Sequence, residues 1–487
     1  MRWPFRKQVS RVVTKMQPFN VLRYWDAAKT DRLTGAWITE EISINKSLEY
    51  RLQTLRARAQ DMERNHPIIR RWISLLDQNV IGASGFKLQP KIPNDNGQGY
   101  DQPANDTIER NWIRFCRNPE ISGRFNLETL TRLILRRVAI DGEIFILKIA
   151  DPTSQFGFSL QVIEASKLAY DLNRESENII AGTQIDGYGK PLNYYFRKGK
   201  LRHSTEYEVI PADRIIHICR HDFAEQQRGY PWAACVMEPL EKLSKYQEAE
   251  IVAAITASAK MGFFTKTAPE LIPDGKSPNE PFSLDASAGT IEGLPAGWGF
   301  QQWDPQHPTS AYPAFVEAKL QEVASGLNVS YFTLANDLTK VNYTSSRTGL
   351  LEDRQYFELL QNWLIDQFLQ PVFETWLELA LNLGRVTTLS GSSLPPSKLE
   401  KFRQCRFQGR RWQWVDPQRE INAAVIALEN NLKSPIRIMS EMGVDAWDEY
   451  SDLSMAQGWR KELGLSEPGQ PKQTEPQQQE DEEDATE

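Results

Sequence analysis

Three residues suited to metal or thiol chemistry alternate along one short segment: His217, Cys219 and His221. If the segment is a β-strand, the alternation places all three side chains on one face, and imidazole and thiolate are good zinc ligands. Cys219 with His217 could also form a nucleophile–base pair, but the sequence places no orienting Asp or Asn beside them. Ordinary packing residues at a strand end explain the same pattern, so we predict neither a metal ligand nor a catalytic residue here.

The usual signatures of enzymes are missing from the 487 residues. The Gly275-Lys276-Ser277 triplet could end a P-loop, but Glu270 stands where the first glycine of that motif is needed. The sequence contains no HExxH, no GxSxG and no GxGxxG between a strand and a helix. We therefore predict that the protein is not an enzyme and uses no cofactor.

A polar loop at residues 336–347 leads into the longest apolar-striped segment of the chain, which extends to Gly384. Pro371 lies within this segment, where it removes a backbone hydrogen bond and should kink a helix. The rod would be about 55 Å long, which is more typical of rods packed side by side around a hole than of a compact enzyme. Its apolar residues recur mostly at four-residue steps: Leu350, Phe357, Leu360, Leu364, Phe368, Val372 and Trp376.

Two shorter helices flank a Pro/Gly-rich segment at residues 261–308. The first is predicted over 232–260 and ends in small side chains such as Ala249, Ala253 and Ala257, which allow another helix to approach closely. A lone buried helix and a helix packed against copies of itself both fit this composition. The second helix, over 312–327, returns from the segment, so the two would form a stalk with a small head.

The rest of the chain is predicted to mix helices and strands. Composition adds that the net charge is −7 and that the four cysteines are scattered without a CxxC pair. These features indicate reduced thiols and argue against tight, static DNA binding, which depends on neutralising phosphates. No apolar run is long enough to cross a bilayer. The predicted elements are helices at 48–62 and 69–76, strands at 143–149 and 158–163, a hairpin at 179–197, a broken strand at 209–219, a strand at 402–414 and mostly helix at 416–442.

The loop at 336–347 has two interpretations. Its polar side chains could line a channel and contact nucleic acid transiently, with Lys340 steering phosphates without clamping them. Alternatively, it is a surface loop in which Ser345 or Ser346 caps the following helix. Its position between long helices favours the channel.

Five motifs, in order, resemble the lambda family of tailed-phage portal proteins. Together they cover most of the chain between residues 47 and 452. The motifs are GTQIDGYGKPLNYYF at 182–196, RIIHICR at 214–220, RGYPWAACV at 228–236, DLTKVNYTSSRTGLLEDR at 337–354 and WVDPQREINAAVIALENNLKS at 414–434.

The resemblance implies an α+β portal fold whose subunits form rings. Its implied parts are a flexible basic arm (1–46), an α+β wing (47–226), a stem helix (227–260), a small β-containing clip (261–308), a second stem helix (309–330), a tunnel loop (331–347), a long kinked wing helix (348–384), a helical C-terminal crown (385–465) and a disordered acidic tail (466–487).

The resemblance also implies a function: a dodecameric ring at one capsid vertex, through which double-stranded DNA enters during packaging and leaves during ejection. The implied partners are the terminase large subunit, a head–tail adaptor or connector and the major capsid or scaffold protein, with no membrane; the location is the virion, and the host cytoplasm before assembly. The implied sites are a DNA-channel loop of Asp337, Lys340, Asn342, Tyr343, Thr344, Ser345 and Arg347, a stem interface of Ala249, Ala253, Ala257 and Lys260, and a docking clip of Pro273, Asp274, Lys276 and Glu292.

Two other functions remain open from the residues alone. A metal-dependent enzyme would use His217, Cys219 and His221, and a metal assay would detect it. A monomeric or dimeric DNA-binding module would be retained on duplex DNA in a salt-dependent way.

Overall fold

The computed structural model describes residue 32 and residues 38–199, 206–258, 262–266, 298–302, 310–339, 342–412 and 416–465. These residues form a mixed α/β body, as predicted. Most of the predicted basic arm lies outside the described residues, and the acidic tail lies wholly outside them. The interior of the predicted clip, 267–297, also lies outside them.

The body begins with three helices: α1 (Ile44–Glu49), α2 (Leu52–Asn65) and α3 (Pro67–Leu76). The predicted break before Pro67 is confirmed, because His66 is extended and its Nδ1 accepts a hydrogen bond from the N–H of Ile68 at 3.2 Å. A π-helical turn, Asp77–Ile81, follows α3, and the predicted end near Gly82 is confirmed by that residue's φ of +73°.

Strand β1 (Lys87–Pro90) and helices α4 (Gln102–Cys116) and α5 (Leu127–Asp141) lead into two antiparallel sheets. The first sheet has the order β3–β2–β8 and the second the order β4–β5–β6–β7. The predicted strand at 209–219 is divided between the sheets, because Pro211 and a 3₁₀ turn at Ala212–Arg214 interrupt it. The strands are β2 (Glu143–Ala150), β3 (Phe158–Glu164), β4 (Ile179–Ile180), β5 (Thr183–Ile185), β6 (Pro191–Arg197), β7 (Tyr207–Pro211) and β8 (Ile215–Cys219).

Two helices and a two-stranded hairpin form the predicted stalk region: α6 (Ala234–Ser258), β9 (Gly262–Lys266), β10 (Trp298–Gln302) and α7 (Tyr312–Gly326). The helices lie against each other, since the ring of Tyr246 on α6 stacks on Tyr312 of α7 at 5.9 Å and meets Phe315 edge-on at 5.0 Å. Strands β9 and β10 pair antiparallel, as expected if the chain leaves on one helix and returns on the other.

The long apolar-striped helix is present as α9 (Tyr343–Leu364), a π-helical turn (Ile365–Leu369) and α10 (Gln370–Asn382). The π turn lies immediately before Pro371, where the missing N–H disrupts regular α-helical bonding. Gly384 has a φ of +64° and ends the helix, as predicted. The predicted start at 348 is wrong, because the helix already begins at Tyr343.

The first part of the predicted crown region, from residue 385, packs against the body. After α11 (Leu399–Phe402), strand β11 (Cys405–Gln408) pairs antiparallel with β1 and ties this segment to the first quarter of the chain. Val386 and Phe402 belong to the main hydrophobic core. Among the described residues of the predicted run at 402–414, only β11 is strand. Helices α12 (Pro417–Glu429), α13 (Pro435–Met442) and α14 (Ala446–Leu463) follow, and α14 lies beyond the helical stretch predicted at 416–442.

Candidate functional site

The predicted channel loop begins at a fixed turn. The short helix α8 (Tyr331–Ala335) ends at Asn336, which adopts a left-handed conformation with φ +55°. The carboxylate of Asp337 then accepts hydrogen bonds from the N–H of Thr339 at 3.0 Å and from its hydroxyl at 2.6 Å. The hydroxyl of Tyr331 donates to the same carboxylate at 3.1 Å. Asp337 therefore anchors the loop to α8.

A second anchor joins α8 to the middle of α9. The buried carboxylate of Asp353 accepts hydrogen bonds from the N–H of Ser330 at 2.8 Å, the Ser330 hydroxyl at 2.6 Å and the Thr333 hydroxyl at 3.0 Å. Gly349 lies directly under Phe332, since a Cβ at this position would come within 2.6 Å of the phenyl ring. These contacts hold α8 against α9.

The loop itself is shorter than predicted. Tyr343, Thr344 and Ser345 lie in the first turn of α9, so Ser345 and Ser346 cannot cap this helix from outside it. Arg347 lies one turn further, and its guanidinium is 3.8 Å from the carboxylate of Glu420 on α12. Asn342 is exposed just before the helix, whereas Lys340 lies outside the described residues.

Three of the four predicted stem residues lie on α6, whose outer part exposes branched apolar side chains. Ile251 is 58 % exposed, Val252 56 % and Ile255 64 %. Ala249 is exposed and Ala253 half-buried on the same stretch, Ala257 lies in the last turn, and Lys260 is outside the described residues. The predicted clip residues Pro273, Asp274, Lys276 and Glu292 also lie outside the described residues.

An apolar groove of 430 Å³ runs along the same helix where α6 meets the start of α3. Its walls are Pro67, Ile68, Leu243, Ile251 and Leu320, among others. The exposed side chains of α6 and this groove form one continuous surface, because Ile251 belongs to both. Single exposed apolar residues are normal on proteins, but contiguous apolar surface usually marks a contact site.

His217, Cys219 and His221 do not form an open metal or catalytic site. The Nε2 of His217 is 3.1 Å from the Glu143 carboxylate and its Nδ1 is 3.3 Å from the Tyr194 hydroxyl, so both ring nitrogens are engaged. Cys219 Sγ is 3.5 Å from Nε2 of His221. Among the described residues, no cluster of His, Cys, Asp and Glu suits a metal ion.

Neighbouring charged groups shift the pKa values of His217 and Cys219 in the direction opposite to the effect of burial. Burial would lower the pKa of His217, but Cys219 and Glu143 raise it to about 9. Burial would likewise raise the pKa of Cys219, but His217 and His221 lower it to about 7. Cys219 is 1 % exposed, so its thiol has no path to a substrate. His217 and Cys219 therefore interact with each other inside the protein core.

The centre of this region is Glu143, which the sequence did not single out. Its carboxylate is 0 % exposed and accepts hydrogen bonds from Arg56 on α2 at 2.7 Å, from Nε of Arg228 at 2.7 Å and from the N–H of Gly229 at 2.7 Å. Burial alone would raise the pKa of Glu143, but Arg228 and Arg56 hold it well below its usual value. The carboxylate is therefore charged, with a cation on each side.

The backbone beside Glu143 is closely packed as well. Gly142 has a φ of +88°, and a Cβ at this position would overlap the backbone of Tyr230. Gly229 in turn lies against the carbonyl of Gly142. The RGYPW motif at 228–232, noted above for the resemblance, therefore crosses the start of β2 at contact distance and enters α6 from there. The charged cluster fixes where the stalk leaves the body.

No helix in the described part of the chain is long and apolar enough to span a membrane.

Comparison with known proteins gives a consistent result. The family model "Phage portal protein, lambda family" matches residues 30–361. A probable portal protein of Halomonas phage phiHAP-1 is 28 % identical over 432 residues, covering 85 % of this chain and 82 % of that protein. Portal protein B of Escherichia phage lambda is 22 % identical over 484 residues, covering 89 % of each chain.

Solved structures with partial similarity come from gene transfer agent (GTA) particles. A chain of the virion of the native particle is 12 % identical with a TM-score of 0.44, covering 81 % of this chain and 93 % of that one. A chain from the neck of the native particle, computed with C12 symmetry, is 12 % identical with a TM-score of 0.42, covering 79 % and 93 %. TM-scores this low do not establish a shared fold.

Proposed function

This chain belongs to the lambda family of phage portal proteins, and on that premise we propose that it assembles into a dodecameric ring that conducts double-stranded DNA at one capsid vertex. In this assignment the body up to residue 226 is the wing, α6 and α7 are the stem, and residues 261–308 are the clip. The segment joining α8 to α9 is the tunnel loop, and α12 to α14 form the crown.

The observation that carries the ring proposal is the apolar surface of α6. Ile251, Val252 and Ile255 lie on the outer part of a helix that α7 covers on one side only. Burying such side chains stabilises an assembly by about 25 cal/mol for each Å² removed from water. A neighbouring copy is the natural cover, because rotational symmetry presents the same surface to every subunit.

The channel is proposed to contact DNA weakly. The subunit carries a net charge of −7, and each phosphate that it neutralised would add salt-dependent affinity that resists sliding. Asp337 anchors the first part of the loop, and Asp353 joins the helices α8 and α9 on either side of it, so the loop can project from a fixed base. Lys340 supplies the positive charge in this loop.

The remaining roles follow the family. The clip, including Pro273, Asp274, Lys276 and Glu292, would dock the terminase large subunit and a head–tail adaptor. The wing and crown would meet the major capsid or scaffold protein. The subunit would catalyse no reaction itself and would reside in the virion, after assembly from the host cytoplasm.

The Ile251→Glu/Ile255→Glu double variant tests the role of α6. Each added carboxylate would be buried without a partner in a packed stem, so we expect the ring to be lost and a folded subunit to remain. Native mass spectrometry measures the assembly, and circular dichroism checks the fold.

The matched control is Tyr188→Glu/Leu389→Glu, which alters two side chains that are 100 % and 89 % exposed away from α6. It should assemble like the wild type. Normal rings from the α6 variant would contradict the proposed stem interface.

A further inference from the structure

An arginine-lined groove lies where the end of α2, the start of α3 and the outer face of α5 meet. It consists of two adjoining cavities of 440 and 410 Å³ that share Glu63, Arg70, Leu133 and Arg136. We call it the arginine groove. Its arginines are Arg64, Arg70, Arg132, Arg136 and Arg137.

The groove carries a net positive charge. Five arginines line it, and four carboxylates pair with three of these arginines: Glu63, Asp77, Glu128 and Asp141. Burial would raise the pKa of Glu63, but hydrogen bonds from Arg137 and Arg136 lower it, so this carboxylate is already charged and engaged. Asp77 is likewise engaged, by Arg132 at 2.6 Å.

Two of the arginines are available for an incoming ligand. Arg64 at the end of α2 and Arg70 on α3 are both exposed, and neither forms an ion pair with any carboxylate in the described part of the chain. Arg136 forms an ion pair with Glu63, but 53 % of its side chain is still exposed. The groove therefore presents unneutralised guanidinium groups along its rim.

The floor of the groove is apolar, which narrows the class of ligand. Ile73 and Leu76 of α3, Leu133 and Leu135 of α5, and Phe125 line it. A concave site with an apolar floor and a cationic rim fits an extended acidic peptide, whose carboxylates reach the rim. A DNA duplex presents its phosphates on a convex surface and would leave this floor uncovered.

The chain itself contains a segment with that chemistry. Residues 480–484 read EDEED, five consecutive carboxylates, preceded by a Pro/Gln-rich stretch. From Leu465, the last described residue, an extended chain reaches residue 480 over a span of about 50 Å. We propose that the acidic segment 480–484 of this chain binds in the arginine groove and pairs with Arg64 and Arg70.

The proposed binding of the acidic segment depends on the charge and shape of the arginine groove and not on assembly of the dodecameric ring. Arg–carboxylate contacts form two parallel hydrogen bonds, which hold a carboxylate better than a lysine would. The two free arginines and the partly exposed Arg136 can each receive one carboxylate of the segment. The bound segment would tether the C-terminal end of the chain to the helical face of the body.

Limited digestion of the full-length protein with a Glu-specific protease tests the proposal. The Arg64→Gln/Arg70→Gln double variant removes the two free charges without adding a cleavage site. We expect release of peptides from 480–487, followed by mass spectrometry, to be about tenfold faster than in the wild type, since two ion pairs are lost. Raising the salt concentration should speed wild-type cleavage in the same way.

The control is Arg117→Gln/Arg406→Gln, which removes two exposed arginines outside the groove. Its cleavage rate should match the wild type. Equal rates in all three proteins would overturn the proposal. So would a groove variant that loses affinity for a 30-base-pair duplex while its acidic segment is cleaved at the wild-type rate, because the groove would then be a DNA site.

Discussion

At the scale of single residues, Glu143 connects parts of the chain that are far apart in sequence. Its carboxylate joins α2 through Arg56, the entry to α6 through Arg228 and Gly229, and β8 through His217. Each partner gains a charged hydrogen bond that water does not compete for. The position of the stalk on the body therefore depends on one carboxylate.

The Glu143→Gln variant should be strongly destabilised. Removing one member of a buried charge cluster leaves two guanidinium groups without compensation, which typically costs about 3–5 kcal/mol. Urea unfolding at pH 7 measures the loss. Glu128→Gln is the control, because Glu128 pairs with Arg132 on the surface and should cost less than about 1 kcal/mol. Similar losses in both variants would contradict a central role for Glu143.

Glu109 on α4 gives a pH-dependent prediction. Burial, together with Asp448, Asp445 and Asp106, raises its pKa to about 7 from an ordinary value of 4.5. Because the folded pKa is raised, this group's contribution to stability is fully present below about pH 4.5 and is lost as the pH rises through 7.

The Glu109→Gln variant should therefore match the wild type near pH 4.5 and exceed its unfolding free energy by about 1 kcal/mol at pH 8. This value is discounted for the partial exposure of the side chain. Paired urea titrations at the two pH values measure the difference. A difference that is the same at both pH values would rule out titration of Glu109 as the cause.

Sequence reasoning at this scale found the right neighbourhood but not its centre. Strand alternation correctly placed His217 and Cys219 on one face, yet their partner Glu143 lies on another strand, 74 residues from His217. The Arg228–Glu143 contact spans 85 residues. A single sequence does not reveal such pairs, because local periodicity carries no information about which strand becomes the neighbour.

At the scale of elements, the contact between α8 and α9 decides where the channel loop is held. Gly349 allows Phe332 to lie on α9, and Asp353 binds the first turn of α8. The loop has little freedom at its base for this reason.

The Gly349→Ala variant should be less stable than the wild type, although alanine favours helices. A methyl group here would come within 2.6 Å of the Phe332 ring, and overpacking of this kind costs about 1–3 kcal/mol. Gly458→Ala on α14 is the control, because nothing lies within 4 Å of a Cβ there and stability should rise by up to about 1 kcal/mol. Denaturant unfolding measures both changes. A stabilised Gly349→Ala protein would contradict the packing of α8 on α9.

Sequence periodicity predicted the elements with one clear face. The helices α2 and α7, predicted from apolar residues at helical spacing, are confirmed, as are α6 and the apolar, β-branched strands β2 and β3. The early start of α9 was missed because its first turn, Tyr343 to Ser346, is mostly polar and looks like loop. The β1–β11 pairing was missed because it joins strands some 315 residues apart, Pro90 pairing with Cys405.

At the scale of the whole molecule, the described chain leaves apolar surface uncovered in two places. One is the outer part of α6. The other is the helical region α12 to α14, in which no described residue is buried and in which Trp447 and Trp459 are 61 % and 62 % exposed. Large aromatic side chains rarely stay in water without a partner. Assembly with neighbouring copies of the chain would cover both apolar surfaces, because one rotation relates every subunit to the next.

The most direct test of the ring is the mass and symmetry of the purified protein, by native mass spectrometry together with negative-stain imaging. The account predicts a closed ring of about twelve subunits with a central hole, since a cyclic interface between identical copies closes on itself. A folded monomer at every concentration tested would contradict the proposal that α6 and the C-terminal helices are completed by copies of this chain.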